Sequence, residues 1–123
     1  QFRLPQNRYC IENRAADMTM NVYLAFAMTL SAAVEGIKGK IHPGKPTDQD
    51  LYEMSENEFK KLGIKRLPRN LLMAIEALKK DKLSDDVLGP VMKKSFLAYK
   101  NDEWERYHQS VTDWEVKEYL RLY

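Results

Sequence analysis

Residues 21–41 read NVYLAFAMTLSAAVEGIKGKI and form the longest continuous pattern in this chain. Apolar side chains recur along this stretch at helical spacing, at Leu24, Met28, Val34, Ile37 and Ile41. The spacing predicts a helix over residues 22–40, with Asn21 as its N-cap. Further apolar residues between these positions surround the helix almost completely. We therefore expect a core helix that is buried on most sides.

Upstream of this helix, residues 2–4 and 9–14 are short runs of β-prone residues, separated by the turn-forming segment Pro-Gln-Asn. Two such runs around a turn predict a β-hairpin. Alternation along the second run places Cys10, Glu12 and Arg14 on one face. A hairpin of this size is marginal in water by itself, so we expect it to belong to a larger sheet in a parent protein.

Downstream, a Pro/Gly-rich loop begins at His42 and ends the first helix. Ser55 and Glu58 have the spacing of a capping box and predict a short helix to about Leu62, with Gly63 ending it. Residues 67–70 introduce another amphipathic helix, which finishes in two lysines.

The last third of the chain predicts two more helices. Gly89-Pro90 can begin a long one, because proline suits the first helical position. We expect its buried side to carry apolar residues at helical spacing, namely Val91, Met92, Phe96, Tyr99, Trp104 and Tyr107. Thr112 or Asp113 can cap a final helix. The predicted fold class is mainly α, with a short N-terminal β-hairpin followed by about five helices.

Composition and charge exclude several classes of function. With 123 residues, 44% hydrophobic and 31% charged, the chain suits one folded domain rather than a disordered segment. Its 20 basic and 18 acidic residues nearly cancel and are interspersed. We therefore expect no nucleic-acid partner, because such partners require an extended basic surface.

The apolar stretch from Tyr23 to Val34 is about twelve residues long, whereas a membrane span needs about twenty. We therefore expect no membrane partner. The single cysteine, Cys10, cannot form an internal disulfide, and no Cys/His spacing suits zinc, so a cytoplasmic protein is expected. The chain starts at Gln1 without an initiator Met or a signal pattern, and we expect it to be a piece of a longer protein.

Two motifs in order carry a family resemblance. IENRAAD at residues 11–17 is followed by NVYLAFA at residues 21–27. This resembles the glutamine synthetase family, in which Glu-any-Arg on a strand precedes an Asp and then an Asn-Pro-Tyr-Leu helix start. Further matches follow in the family's order: EGIK at 35–38, HPG at 42–44, LY at 51–52, GI at 63–64, LP at 67–68, WE at 114–115 and EY at 118–119. The resemblance spans essentially the whole chain and implies that residues 1–123 are a C-terminal part of the catalytic domain, which is α+β in the parent.

The resemblance also implies a chemistry. Enzymes of this family use ATP to phosphorylate the side-chain carboxylate of glutamate, and ammonia or another amine then displaces the phosphate. Both steps concentrate negative charge, which Mg2+ or Mn2+ and arginine side chains neutralise. Family members assemble as homo-oligomeric rings with active sites between subunits, so apolar helical surface of this chain is expected at interfaces.

By the same resemblance, Glu12 is a ligand of the metal ion at the phosphoryl-transfer site. Arg14 contacts phosphate or the substrate carboxylate, and Arg3 contacts ATP phosphates from the preceding strand. Cys10 stands where many members have an arginine that contacts the nucleotide, and Arg8 is the candidate to replace it. The spacing of Glu12 and Arg14 alone would more often mark a solvated or mutually paired strand face.

Other noticeable residues are expected to have structural roles. Asp17, Asn21 and Tyr23 shape the strand-to-helix turn and the helix start. His42 is expected to be a loop residue only. The methionines, Trp104 and Trp114 recur at helical spacing, so we expect core or subunit contacts rather than a ligand site.

Three functions remain open at this point. The first is ATP-dependent formation of glutamine from glutamate and ammonia by the parent protein, the chain alone being inactive. The second changes the acceptor to methylamine or a polyamine. In its favour, the turn before Glu12 is short and the ending WEVKEY at residues 114–119 resembles the amine-ligase relatives. The third is a noncatalytic relative that keeps the fold. Retention of Glu12 and Arg14 argues against it, whereas Cys10 leaves it open.

Val22 stands where the family usually has Pro, and this difference affects the start of the helix more than the chemistry.

Overall fold

A computed structural model describes residues 2–47 and 50–122. Across these residues the chain forms a two-stranded antiparallel hairpin followed by five helices, which confirms the predicted fold class. The chain divides into two compact units, Gln1–His42 and Pro43–Tyr123. No helix in the described residues is long and apolar enough to cross a membrane.

The first unit contains β1 (Phe2–Arg3), β2 (Glu12–Asn13) and α1 (Val22–Lys38). The second β-prone run therefore forms only a two-residue strand, and the turn and bend occupy residues 6–9. Asn21 caps α1 as predicted, because its side chain accepts a hydrogen bond from the amide of Leu24. The helix ends at Lys38 rather than Lys40, since the amide of Ile41 turns back to the carbonyl of Gly36.

The expectation that α1 is buried on most sides is wrong for this structure. None of its residues is buried, and several large side chains on it, Phe26 and Leu30 among them, are more than half exposed. The apolar surface is present as the sequence indicates. Within residues 2–42, however, the only other regular structure is the pair of two-residue strands, which is too small to cover a helix of 17 residues.

The second unit begins with α2 (Glu56–Lys61), and its capping box is formed as predicted. The amide of Glu58 bonds to the Ser55 hydroxyl, and the Glu58 carboxylate accepts from the Ser55 amide. The Ser55 hydroxyl, at 2.6 Å, and the Ser55 amide, at 2.7 Å, both donate to the Glu58 carboxylate and hold its pKa below its ordinary value. Gly63 ends this helix with a φ of 66°, a left-handed conformation that favours glycine.

Next come α3 (Leu71–Lys80), capped by Asn70, and α4 (Lys82–Gln109). Gly89 interrupts α4 with φ 68° and ψ 167°, so that helical segments occupy residues 82–88 and 90–109. The second segment starts at Pro90 as predicted, whereas the first was not anticipated. Asp81 is both the C-cap of α3 and the N-cap of the first segment, where its side chain accepts from the amide of Ser84.

Helices α3 and α4 pack on each other, and Ile75 is buried on α3. On α4 the buried residues are Ser84 and Lys93, not the predicted apolar set. Val91, Met92, Tyr99 and Tyr107 are exposed, and Phe96 and Trp104 are half-buried. The face of α4 that meets α3 is therefore partly polar.

The buried ammonium of Lys93 explains this difference. Its Nζ donates to the carbonyl oxygen of Asp81 at 2.9 Å and to the carboxylate of Asp85 at 2.6 Å, and it lies 3.5 Å from the carbonyl oxygen of Lys79. The carbonyls at the C-terminal end of a helix lack intrahelical partners and carry partial negative charge, so a cation is favourable there. Lys93 therefore fastens α4 to the end of α3.

Replacing this ammonium should destabilise the second unit. We expect Lys93→Met to lower the free energy of unfolding by about 1–3 kcal/mol, because the part-buried hydrogen bonds of its ammonium to the Asp81 carbonyl and the Asp85 carboxylate are lost. The matched control is Lys94→Met, whose side chain is exposed. Chemical denaturation followed by circular dichroism measures both. Equal stability of the two variants would remove Lys93 from the stabilising contacts.

The chain ends in α5 (Asp113–Tyr119), with Thr112 as the cap and Glu115 completing a capping box. Trp104 stacks on His108, with ring centroids 5.5 Å apart, and Trp114 meets Tyr119 edge to face at 5.8 Å. Trp114 is mostly exposed, so the expectation that it lies in the core is wrong. The other expectation for this residue, a contact between subunits, stays a prediction.

Candidate active site

The hairpin register brings Arg3 and Glu12 together. Arg3 pairs with Glu12, and Phe2 pairs with Asn13. Directly opposed residues of an antiparallel pair project from the same face of the sheet. A guanidinium nitrogen of Arg3 accordingly lies 3.6 Å from one carboxylate oxygen of Glu12.

Arg8 reaches the same carboxylate from the turn between the strands. Its terminal nitrogen donates to the other oxygen of Glu12 at 3.3 Å. The turn is held by the amide of Cys10, which donates to the carbonyl of Arg8 at 3.0 Å. Glu12 is therefore flanked by two cations, one on each oxygen, and three of the four predicted site residues form one cluster.

Arg14, the fourth predicted residue, does not join this cluster. It follows β2 in a turn, and within the residues described it forms no ion pair. Cys10 lies before β2 and has an exposed, free thiol. The regular strand covers only residues 12 and 13, so strand alternation does not extend to Cys10 and Arg14. That these two residues share a face with Glu12 stays a prediction.

The segment after the site is shaped by short polar side chains. Asp17 accepts hydrogen bonds from the hydroxyl of Thr19 and from its amide, at 2.5 and 2.7 Å. These two bonds hold the pKa of the Asp17 carboxyl below its usual range, the hydroxyl having the larger effect. Asn21 then starts α1. The structural roles of Asp17 and Asn21 are confirmed, while Tyr23 lies exposed in the first turn of the helix.

The cluster carries three charged groups at the surface. Arg3 and Arg8 are about two-thirds exposed, while the Glu12 side chain is 29% exposed. Exposed ion pairs are weak, so the two guanidinium groups can exchange the carboxylate for another anion at little cost. Arginine presents a planar set of donors that matches phosphate and carboxylate oxygens. The arrangement is therefore suited to binding an anionic ligand.

The donor set fits one part of a site for a divalent metal ion. A carboxylate oxygen is a preferred ligand of Mg2+ and Mn2+, but Mg2+ takes about six oxygen ligands. No group of three or more Asp, Glu, His or Cys side chains that could hold a metal occurs in the described part of the chain. Glu12 can thus contribute one ligand to a metal site that other residues share.

His42 lies in the loop after α1, as expected from the sequence.

The hairpin places two arginines beside one glutamate, and a helix capped by Asn21 follows it. The family model for the glutamine synthetase catalytic domain matches residues 3–119. The chain belongs to this family.

Individual relatives agree with this assignment. Glutamine synthetase of Methanocaldococcus jannaschii is 41% identical over 110 residues, which is 89% of this chain and 24% of the relative. Glutamate–methylamine ligase of Methyloversatilis universalis is 41% identical over 122 residues, covering 99% of this chain and 27% of the relative. The chain thus spans about a quarter of the length of the curated relatives it matches.

A solved structure described as apo GmaS without ligand matches with a TM-score of 0.74 and 34% sequence identity. The match covers 89% of this chain and 25% of that protein. The fold described above is therefore shared with a solved relative.

Proposed function

We propose that residues 1–123 are the C-terminal part of the catalytic domain of an ATP-dependent ligase that forms glutamine from glutamate and ammonia. The reaction proceeds through a γ-glutamyl phosphate. The observation that carries this proposal is the cluster of Arg3, Arg8 and Glu12 in a chain of the glutamine synthetase catalytic-domain family.

Each residue of the hairpin has a role in this proposal. A bound Mg2+ or Mn2+ neutralises charge on the phosphate oxygens. Glu12 supplies one oxygen ligand to it. Arg3 and Arg8 hold phosphate oxygens of ATP, where Arg8 replaces the contact that Cys10 cannot make. Arg14, which has no ion pair among the described residues, keeps its donors available for the transferred phosphoryl group or the glutamate carboxylate.

The two ion pairs of Glu12 support these roles. Glu12 pairs with both guanidinium groups and so keeps them beside one carboxylate. Because the pairs are exposed, releasing the arginines to phosphate costs little.

The isolated chain should lack ligase activity. Glu12 is one carboxylate of a site that needs several ligands, and the described residues offer no metal-binding group of three. A coupled ATPase assay of the 123-residue chain with glutamate, ammonia and Mg2+ should therefore show no turnover. Turnover that survives purification and disappears in Glu12→Ala would contradict the proposal that the chain holds only part of the site.

The second candidate function is ligation of glutamate to methylamine or a polyamine. It is favoured by the alignment with glutamate–methylamine ligase, which covers 99% of this chain, whereas that with the Methanocaldococcus glutamine synthetase covers 89%. Initial rates of the intact protein with ammonia, methylamine and putrescine separate the two functions by their kcat/KM. An intact protein that turns over with none of these amines would favour a noncatalytic relative.

The proposal extends to assembly and location. We infer a homo-oligomeric ring in the cytoplasm, and the exposed apolar residues of α1 support the assembly. A large exposed apolar surface of this kind usually marks an interface. It also favours self-association of the isolated chain.

A further inference from the structure

A groove between α2 and α3 combines two arginines with apolar side chains. Its volume is about 520 Å³. Arg66 and Arg69 both pair with the same oxygen of Glu56, at 3.0 and 2.8 Å. The guanidinium carbon of Arg66 lies 4.0 Å from the centroid of the Phe59 ring. None of these residues is a predicted site residue.

The two guanidinium groups keep most of their donors available. Each has five N–H groups, and Glu56 is contacted by Nε of Arg66 and one terminal nitrogen of Arg69. Neither arginine has another hydrogen-bonding partner in residues 2–47 and 50–122. Lys60 adds a third cation to the lining, while Glu56 is its single acid, so three positive charges less one negative charge leave +2.

The remaining lining is apolar. Phe59 is 7% exposed and closes one side, whereas Leu67 and Met73 are about half exposed and leave apolar surface available to a ligand. Ligand sites commonly have volumes of about 300–1,000 Å³, with an apolar lining and a few convergent polar groups. The charge favours an anion, and the apolar lining favours a ligand with an apolar body.

We propose that this groove binds a small organic carboxylate with an apolar body. The ligand carboxylate pairs with Arg66 and Arg69 and displaces Glu56 from them. Its apolar body lies against Leu67 and Met73. Glu56 is then an internal competitor, because its own carboxylate pairs with the same two guanidinium groups. This proposal does not depend on the proposed ligase function.

Three probes test the ligand class on the intact protein by isothermal titration calorimetry. They are 4-phenylbutyrate, its neutral amide 4-phenylbutyramide, and inorganic phosphate. The carboxylate should bind at least about tenfold more tightly than the amide, since losing one charge-assisted contact commonly has this effect. It should also bind more tightly than phosphate, which lacks the apolar body.

The variants give effects of opposite sign. Arg66→Gln and Arg69→Gln should each weaken 4-phenylbutyrate binding roughly tenfold, whereas Glu56→Gln should tighten it several-fold by removing the competing carboxylate. Arg106→Gln is the matched control, because Arg106 pairs with Asp102 on α4 and should leave binding unchanged. Circular dichroism verifies the folding of every variant.

Tightening in Glu56→Gln is the decisive result, because local unfolding of the groove can only weaken binding. If Glu56→Gln misfolds, Glu56→Ala tests the same competition. Absence of 4-phenylbutyrate binding, equal binding of the amide or of phosphate, or weakening in both Glu56 variants would each overturn the proposal. The ion pairs of Arg66 and Arg69 would then serve only to hold the loop before α3 against α2.

Discussion

Glu12→Gln in the intact protein should reduce kcat by about 100-fold or more, which is the usual effect of losing one preorganised electrostatic contact at a reacting centre. The substitution preserves the size of the side chain and removes its charge. A neutral amide is a poorer ligand for Mg2+ than a carboxylate. The concentration of Mg2+ or Mn2+ needed for half-maximal rate should therefore rise as well. Steady-state kinetics over a metal titration measures both effects.

Folding should be nearly unchanged in this variant, because both ion pairs of Glu12 are at the surface. Glu103→Gln is a suitable control, since Glu103 is also ion-paired and half-buried but lies on α4. The metal requirement separates two roles of Glu12. If Glu12 only positions Arg3 and Arg8, the rate falls while the metal requirement stays constant. Near-normal turnover at every metal concentration would remove Glu12 from the site.

The local signals in the sequence predicted most helix boundaries. Asn21 caps α1, the Ser55–Glu58 box starts α2, and α3 begins directly after residues 67–70. Such signals act over three or four residues, so the sequence contains all the interacting groups. The helical segment at residues 82–88 was not predicted. Asp81 is both the C-cap of α3 and the N-cap of this segment, so no loop separates the two helices.

Burial was predicted less well than helix boundaries. Periodicity indicates which side of a helix is apolar, but it does not say what covers that side. The apolar surface of α1 is therefore exposed in this structure. Conversely, Lys93 is buried because carbonyl groups at the end of α3, at least 12 residues earlier, receive its ammonium. A non-local partner of this kind has no signature near Lys93 in the sequence.

The candidate site was partly predictable. The antiparallel pairing of β1 and β2 places Arg3 opposite Glu12, as a hairpin between two short runs allows. The approach of Arg8 depends on the conformation of the turn, which the residue types alone do not determine. The expected alternation runs beyond both ends of β2, which covers only Glu12 and Asn13, so it gives no support for the placement of Cys10 and Arg14. Family resemblance, rather than spacing, assigned the roles.

Arg14→Lys in the intact protein should also lower kcat by about 100-fold or more. The substitution keeps the positive charge, so a purely electrostatic role at long range would survive it. A role in holding a phosphoryl group or a carboxylate would not survive, because a point-like ammonium cannot reproduce the two parallel hydrogen bonds of a guanidinium group. Arg14 forms no ion pair within the described residues, so the substitution breaks no salt bridge there. The loss should therefore appear in kinetics and not in the unfolding free energy.

The control is Arg106→Lys, a change of the same kind in an exposed arginine that pairs with Asp102 on α4. Light scattering establishes that both variants assemble like the unsubstituted protein, since a change in assembly could lower turnover by itself. Single-turnover measurements with saturating ATP then report the phosphoryl-transfer step without product release. A strong loss in Arg14→Lys, with Arg106→Lys unaffected, supports direct contact between Arg14 and the reacting groups. Normal turnover by Arg14→Lys in an intact assembly would mean that Arg14 is a solvated residue following β2 and that Glu12, Arg3 and Arg8 form the contribution of this hairpin to the site.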